Sequence, residues 1–278
     1  MKMYKLRTYI PVLFIMLSTN VLFGQGNLLV TPVRVIFDAQ KMHQDLTVSN
    51  IGQDTAVYLI SFSHYRMNED GSFAVLDKKD SSIVYADDYL RIFPRRVVLG
   101  PKESQTVRVQ FRKPSTMKTG ELRSHLYFRA EKNEPALGLK NPKSDSTKMS
   151  ISITPIFGIS IPIIARTGTP TLKVELSDVK LLHLNDSVAQ LKLSICRTGE
   201  MSAYGNLKVV FKSDNGESVE VGVANGVGVY TELNKRNFTL QLSLKKGLKL
   251  TNGKLMISYT DESNGAKVEL AKTEYNLN

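Results

Sequence analysis

Met149-Ser-Ile-Ser-Ile-Thr-Pro-Ile-Phe-Gly-Ile-Ser-Ile-Pro-Ile163 decides how this chain is read. Every odd position is apolar if Pro155 is counted. Side chains of a strand alternate between its faces, so one face carries Met149, Ile151, Ile153, Phe157, Ile159, Ile161 and Ile163. The run is far longer than the usual strand of about five or six residues. For Phe157–Ile163 the pattern fits a core strand. The Met149–Ile153 half follows a polar segment (131–148) rich in Lys, Pro, Gly and Ser, expected to be a mobile loop. Pro155 removes a ladder donor between the halves. A neutral, apolar half-strand at a sheet edge aggregates unless something covers it. Two readings follow: an edge offered to a partner, which the pattern favours, or an edge covered by its own chain.

Outward from this stretch the chain reads as strands and turns. Val33, Val35 and Phe37 alternate with Arg34, Ile36 and Asp38, and Leu46 and Val48 alternate with Asp45, Thr47 and Ser49. A turn at 50–54 leads to a strand over Ala56–Phe62, and Asp70-Gly71 and Gly100-Pro101-Lys102 are further turns. Ile92–Leu99 and Thr106–Phe111 are period-two segments, and Leu126–Arg129 is a short strand. After Pro170 the pattern restarts, with strands expected at 172–184, 188–196, 207–212, 218–223, 238–244, 255–259 and 267–270. That spacing predicts an all-β chain of two tandem immunoglobulin-like β-sandwiches. The expected division is a signal peptide over 1–24, a first domain over 25–166, a connector at 167–169 and a second domain over 170–278. Three connector residues leave little slack, so a fixed angle between the sandwiches is expected.

The N-terminus carries Lys2, Lys5 and Arg7 ahead of a largely apolar Tyr9–Phe23, with the small Gly24 before Gln25, the pattern of a cleaved export signal. An uncleaved anchor is the alternative. Its apolar run is short for a span and is interrupted by Pro11, Ser18, Thr19 and Asn20. Cleavage removes three basic and no acidic residues, lowering the net charge from +11 to +8. The lone Cys196 offers no disulfide, so an exported fold would stand on packing alone. Leu191, Leu193 and Ile195 alternate with Cys196, and either face could be the inner one. His43, His64, His125 and His183 have no metal-ligand spacing and no nucleophile motif beside them, and read as surface or satisfied residues. Gly222–Gly228 lacks the lysine and helix of a phosphate loop and reads as strand and turn. The basic charge is dispersed and there is no tryptophan, which argues against nucleic acid as a partner.

Several segments in order resemble the periplasmic pilus chaperones of the chaperone–usher family, closest to its archaic, spore-coat-like branch. Thr31-Pro-Val-Arg-Val-Ile-Phe-Asp38 with Leu46-Thr-Val-Ser-Asn50 is similar to the family's first two strands. Ile92-Phe-Pro-Arg-Arg-Val-Val-Leu-Gly-Pro-Lys-Glu-Ser-Gln-Thr-Val-Arg-Val109 resembles its proline-and-basic strand and following turn. Gly120-Glu-Leu-Arg-Ser-His-Leu-Tyr-Phe128 is similar to its penultimate strand, and 149–163 to its subunit-binding strand. The resemblance covers 27–166; the second domain matches in size and strand type only.

It implies a boomerang-like pair of sandwiches, a periplasmic location, no enzymatic step, no cofactor and no metal. It also implies pilin-like subunits as partners, an outer-membrane usher as a further one, and a self-capping homodimer when subunits are absent. Met149, Ile151, Ile153 and Phe157 would form the strand donated to a subunit. Arg34 matches the family's cleft arginine, which anchors the subunit's terminal carboxylate. The family's lysine on the donated strand is replaced by Ser160, leaving Ser160 and Arg166 as secondary anchor candidates. Arg123 stands where the better-known branch has an acid that bridges the domains, so that salt bridge does not carry over. A secreted structural, adhesive or carbohydrate-binding protein of tandem sandwiches is the alternative function.

Overall fold

The computed structural model describes residues 27–38, 40–131, 156–185, 188–245, 247–262 and 265–277. Met149, Ile151 and Ile153, the export signal and the polar segment over 132–148 lie outside the described residues. The first half carries β1 (Leu28–Thr31), β2 (Val35–Phe37), β3 (His43–Asn50), β4 (Ala56–Met67), β5 (Phe73–Leu76), β6 (Leu90–Phe93), β7 (Arg96–Leu99), β8 (Ser104–Phe111), β9 (Gly120–Ala130) and β10 (Gly158–Thr167). One sheet has the order β1-β3-β8-β6. The other runs β2-β10-β9-β4-β5, with β7 also on β4. Their inner faces close on Phe37, Leu46, Val107, Val109, Leu126, Phe128, Ile161 and Ile163. Phe37 and Phe111 meet across the core at 5.8 Å.

The second half carries β11 (Leu172–Asn185), β12 (Val188–Gly199), β13 (Ala203–Ser213), β14 (Ser218–Val229), β15 (Lys235–Ser243), β16 (Gly253–Asp261) and β17 (Val268–Leu277). Its sheets, β11-β12-β15 and β14-β13-β16-β17, pack around Leu191, Ile195, Leu207, Val209, Leu255 and Tyr259. No strand pair joins the two halves among the described residues. The chain is two tandem all-β sandwiches of the immunoglobulin-like type.

Four local outcomes differ from the sequence reading. Ile92–Leu99 is two strands, because Pro94 has no N–H to continue a ladder. β6 pairs with β8 and β7 with β4, so the chain changes sheets at the proline. Val33 is 69% exposed, and the buried alternation begins only at Val35. Phe157 lies ahead of β10 and is exposed, so the core part of the long run is Gly158 onward. Gly222–Gly228 lies wholly within β14, as strand without the turn. Leu191, Leu193 and Ile195 form the inner face, leaving Cys196 half-buried with Sγ 3.6 Å from Ser177 Oγ.

A buried asparagine ties the first sandwich together at one end. Asn50, at the end of β3, donates through Nδ2 to the carbonyls of Asp54, Leu99 and Gly100 at 2.7, 3.1 and 3.0 Å. Its Oδ1 accepts the Gly52 N–H at 2.9 Å. One side chain thus links four backbone groups across the 50–54 turn and the end of β7.

The halves meet along one face of the β10-bearing sheet. Met67, Ile164 and Tyr230 form a small apolar cluster with Ile36 and Leu233 packed on it. The β4–β5 turn reaches across, where the Asn237 N–H donates to the Glu69 carbonyl at 2.6 Å. Gly71 in that turn has φ +85°, and the Arg236 guanidinium occupies the space a Cβ would need.

Candidate functional site

The site forms where β10 meets β2. β10 pairs antiparallel with β9 over its whole length, from Gly158↔Arg129 to Thr167↔Gly120. On its other side β2 pairs with it in parallel at Ile163, Ile164 and Ala165 alone. Among the described residues, Gly158–Ile161 therefore has a ladder on one side only. The Ala130 N–H donates to the Phe157 carbonyl at 3.0 Å, which sets the alternation. Backbone groups of Phe157, Ile159 and Ile161 point at β9, and those of Gly158, Ser160 and Pro162 point away. Pro162 has no N–H, and it sits where the missing donor faces the unpaired side.

Two N–H groups and two carbonyls, from Gly158 and Ser160, are thus available to an added strand, while the parallel register with β2 engages the Pro162 carbonyl with the Val35 N–H. At about 1 kcal/mol net each they contribute on the order of 4 kcal/mol to such a pairing. Upstream, Ile156 and Phe157 are 46% and 53% exposed, and burying both would add about 2–4 kcal/mol. Glycine at 158 is required by its neighbour, since a Cβ there would lie 2.5 Å from the Tyr127 ring.

The opposite face of the same sheet turns toward the second sandwich. Arg34, just ahead of β2, stacks with Cζ 4.1 Å from the Tyr204 ring centroid, and its Nη1 lies 3.4 Å from the Tyr230 hydroxyl. Its Nε and Nη2 are shielded and have no hydrogen-bond partner among the described residues, and the same holds for Ser160 Oγ. Arg166 is engaged: its Nε donates to Glu121 Oε2 at 3.1 Å, and that oxygen also accepts the Ser202 N–H at 3.2 Å. Of the three anchor candidates, Arg34 is the cation without an acid among the described residues.

An interdomain ion pair is present although the sequence reading set it aside. Arg123 on β9 pairs with Glu232, both side chains almost completely buried. The Glu232 carboxylate also accepts the Met67 N–H at 3.0 Å, and the Arg123 guanidinium sits 4.0 Å from the Tyr230 ring. The positive partner lies in the first sandwich and the acid in the second. Arg197 holds the segment bearing Tyr230 and Glu232, donating to the carbonyls of Gly199, Met201, Thr231 and Leu233.

His125 completes the wall. Its ring is edge-on to Tyr65 at 4.7 Å and to Tyr230 at 6.5 Å, and near Phe73 at 6.0 Å. Burial, with the charges of Arg123, Arg34 and His64 behind it, pushes its pKa down to about 3. It is a neutral aromatic member of the interface at neutral pH. His64 is bound instead to Asp87 at 3.3 Å, within a group that includes Lys79 and Ser124. No group of three His, Cys, Asp or Glu residues could hold a metal among the described residues. Nor is any described helix long and apolar enough to cross a membrane.

Sequence reasoning missed Tyr204, Tyr230, Glu232 and Arg236. They come from a half whose motifs resemble nothing specific, and no local pattern marks a residue that acts by facing another domain.

No protein-family model matches the sequence, and no curated protein matches it at a significant level. Among solved structures the chain is similar to fimbrial chaperones over most of its length. The YadV chaperone is 11% identical with a TM-score of 0.46, covering 90% of this chain and 100% of its own. The class 5 fimbriae chaperone CfaA is 15% identical with a TM-score of 0.47, covering 91% and 99%. A Salmonella enterica SafA pilin in complex with the SafB chaperone is 14% identical with a TM-score of 0.42, covering 91% and 98%.

Proposed function

We propose that this protein is a periplasmic assembly chaperone, not an enzyme, that holds pilin-like subunits by lending them a strand. The observation that carries the reading is the one-sided ladder of Gly158–Ile161, continued upstream by the exposed Phe157 and Ile156. An incomplete sandwich that lacks its last strand would pair with this edge. Its grooves would take Phe157 and, upstream, Met149, Ile151 and Ile153, which alternate in phase with it. Arg34 would hold the subunit's terminal carboxylate, since a guanidinium forks onto a carboxylate through two parallel hydrogen bonds. Ser160, on the same strand, offers a hydroxyl in place of a second cation. An outer-membrane usher receiving the loaded complex, and a homodimer that covers the edge between clients, belong to the same reading.

The test is co-expression with a secreted subunit that lacks its final strand. Wild type should co-purify with it at equal stoichiometry from the periplasm. Phe157→Asp and Ile153→Asp should each weaken capture by about tenfold or more, since the first loses about 1–2 kcal/mol and the second about 1.5–3 kcal/mol of apolar burial and each adds a charge. Their thermal unfolding should match wild type. Capture at wild-type strength by both variants would refute the reading.

A further inference from the structure

Four arginines crowd the facing surfaces of the two sandwiches, and two of them have acids. Arg123 takes Glu232 and Arg166 takes Glu121. Arg34 and Arg236 make no close ion pair among the described residues, although the Asp70 carboxylate acts on Arg236 through space. Arg34 lies on the Tyr204 ring with Nε and Nη2 unmet. Arg236, at the start of β15, donates through Nη1 to the Gly228 carbonyl at 2.6 Å, and its Nε is shielded and unmet. The Gly71 backbone packs against its guanidinium, which keeps that side chain at the interface.

The two guanidiniums converge on one aromatic group. Gly228, which holds Arg236, lies against the ring of Tyr204, which carries Arg34; a Cβ on Gly228 would sit 3.6 Å from that ring. The Tyr259 hydroxyl donates to the Val227 carbonyl at 2.6 Å, and its phenol feels the positive charge of both arginines. Partly buried cations whose N–H groups lack acceptors among the described residues are an arrangement that an arriving anion relieves. The neutral His125 adds no competing charge.

We propose that Arg236 is the second cation of the site that Arg34 begins, so that a partner chain's terminal carboxylate is held between the sandwiches by one guanidinium from each. This rests on the reading of Arg34 as a carboxylate anchor. It gives the second sandwich a direct part in binding and supplies the charge that Ser160 does not.

The test titrates the full chain with a synthetic peptide of alternating valine and serine carrying a free C-terminal carboxylate, with the same peptide amidated, and with inorganic phosphate. Wild type should bind the acid about tenfold or more tighter than the amide, as expected for charge-assisted hydrogen bonds. Arg236→Gln should cut that preference at least about fivefold, leave amide binding unchanged, and be rescued largely by Arg236→Lys. A preference intact in Arg236→Gln but lost in Arg34→Gln overturns this inference and spares the anchor reading. No preference in wild type overturns both. Phosphate binding that needs both arginines, with acid and amide peptide equal, shows a small-anion site and overturns the terminal-carboxylate assignment.

Discussion

Replacing Glu232 with alanine removes the acid from the most deeply buried ion pair between the sandwiches. Arg123, 2% exposed at its side chain, would keep the Tyr65 carbonyl at 3.1 Å and the Tyr230 ring but no counter-charge. The Met67 N–H would also lose its acceptor. Breaking a buried pair by deleting one partner costs about 3–5 kcal/mol, while exchanging both members for apolar residues of similar size is often close to neutral. Glu232→Ala should therefore lower stability by about 3–5 kcal/mol, and Arg123→Met/Glu232→Leu by about 1 kcal/mol or less. Because the pair joins two separately packed cores, part of the loss should appear as one unfolding transition splitting into two. Urea titration followed by far-ultraviolet circular dichroism and by tyrosine fluorescence reads both, the chain having 11 tyrosines and no tryptophan. A Glu232→Ala loss below about 1 kcal/mol, or a double variant as unstable as the single one, would refute the assignment of the pair as the interdomain clamp.

His125 cannot take a proton in the folded chain until about pH 3, whereas an unfolded histidine takes one near pH 6.5. The unfolded state then binds more protons below pH 6.5, so stability falls on acidification, by about 2 kcal/mol between pH 7 and pH 5. His125→Phe should remove that part of the slope in urea midpoints measured at the two pH values; an unchanged slope would show that His125 is not the buried neutral group described. Asn50→Ala removes the side-chain bonds to the carbonyls of Asp54, Leu99 and Gly100 and to the Gly52 N–H, and should cost about 2–4 kcal/mol in the same titration, with no change in subunit capture.

Much of the first sandwich was legible because its strands bury one face and expose the other. Leu46, Val48, Val107 and Val109 repeat at period two and all lie in the core. Strand ends were less legible where neighbours, not local composition, extend a ladder. β9 begins at Gly120 and runs through Arg123 and His125, polar residues that are buried because the second sandwich covers them. A period-two rule that expects polar side chains to face solvent reads that strand as four residues near Leu126. The Ile92–Leu99 segment failed for the opposite reason: its alternation continues through Pro94 while its partners change.

The candidate site divides in the same way. Arg34 and Ser160 stand out by position in motifs that resemble a known family. Glu232 meets Arg123 and Met67, more than a hundred positions away, and Arg236 is covered by the Gly71 turn of the other sandwich. The charge order of the Arg123–Glu232 pair also shows why matching one residue was not enough. The bridge depends on which side holds the acid, and that is written in both halves at once.

Amide hydrogen exchange along β10 tests the central claim most directly. In the free protein the Ile159 and Ile161 amides, which point at β9, should be protected, while those of Gly158 and Ser160 exchange freely. With a subunit lacking its last strand bound, Gly158 and Ser160 should become as slow as Ile161. Gly158 and Ser160 already slow in the free monomer, or unchanged when the subunit is bound, would contradict a lent strand.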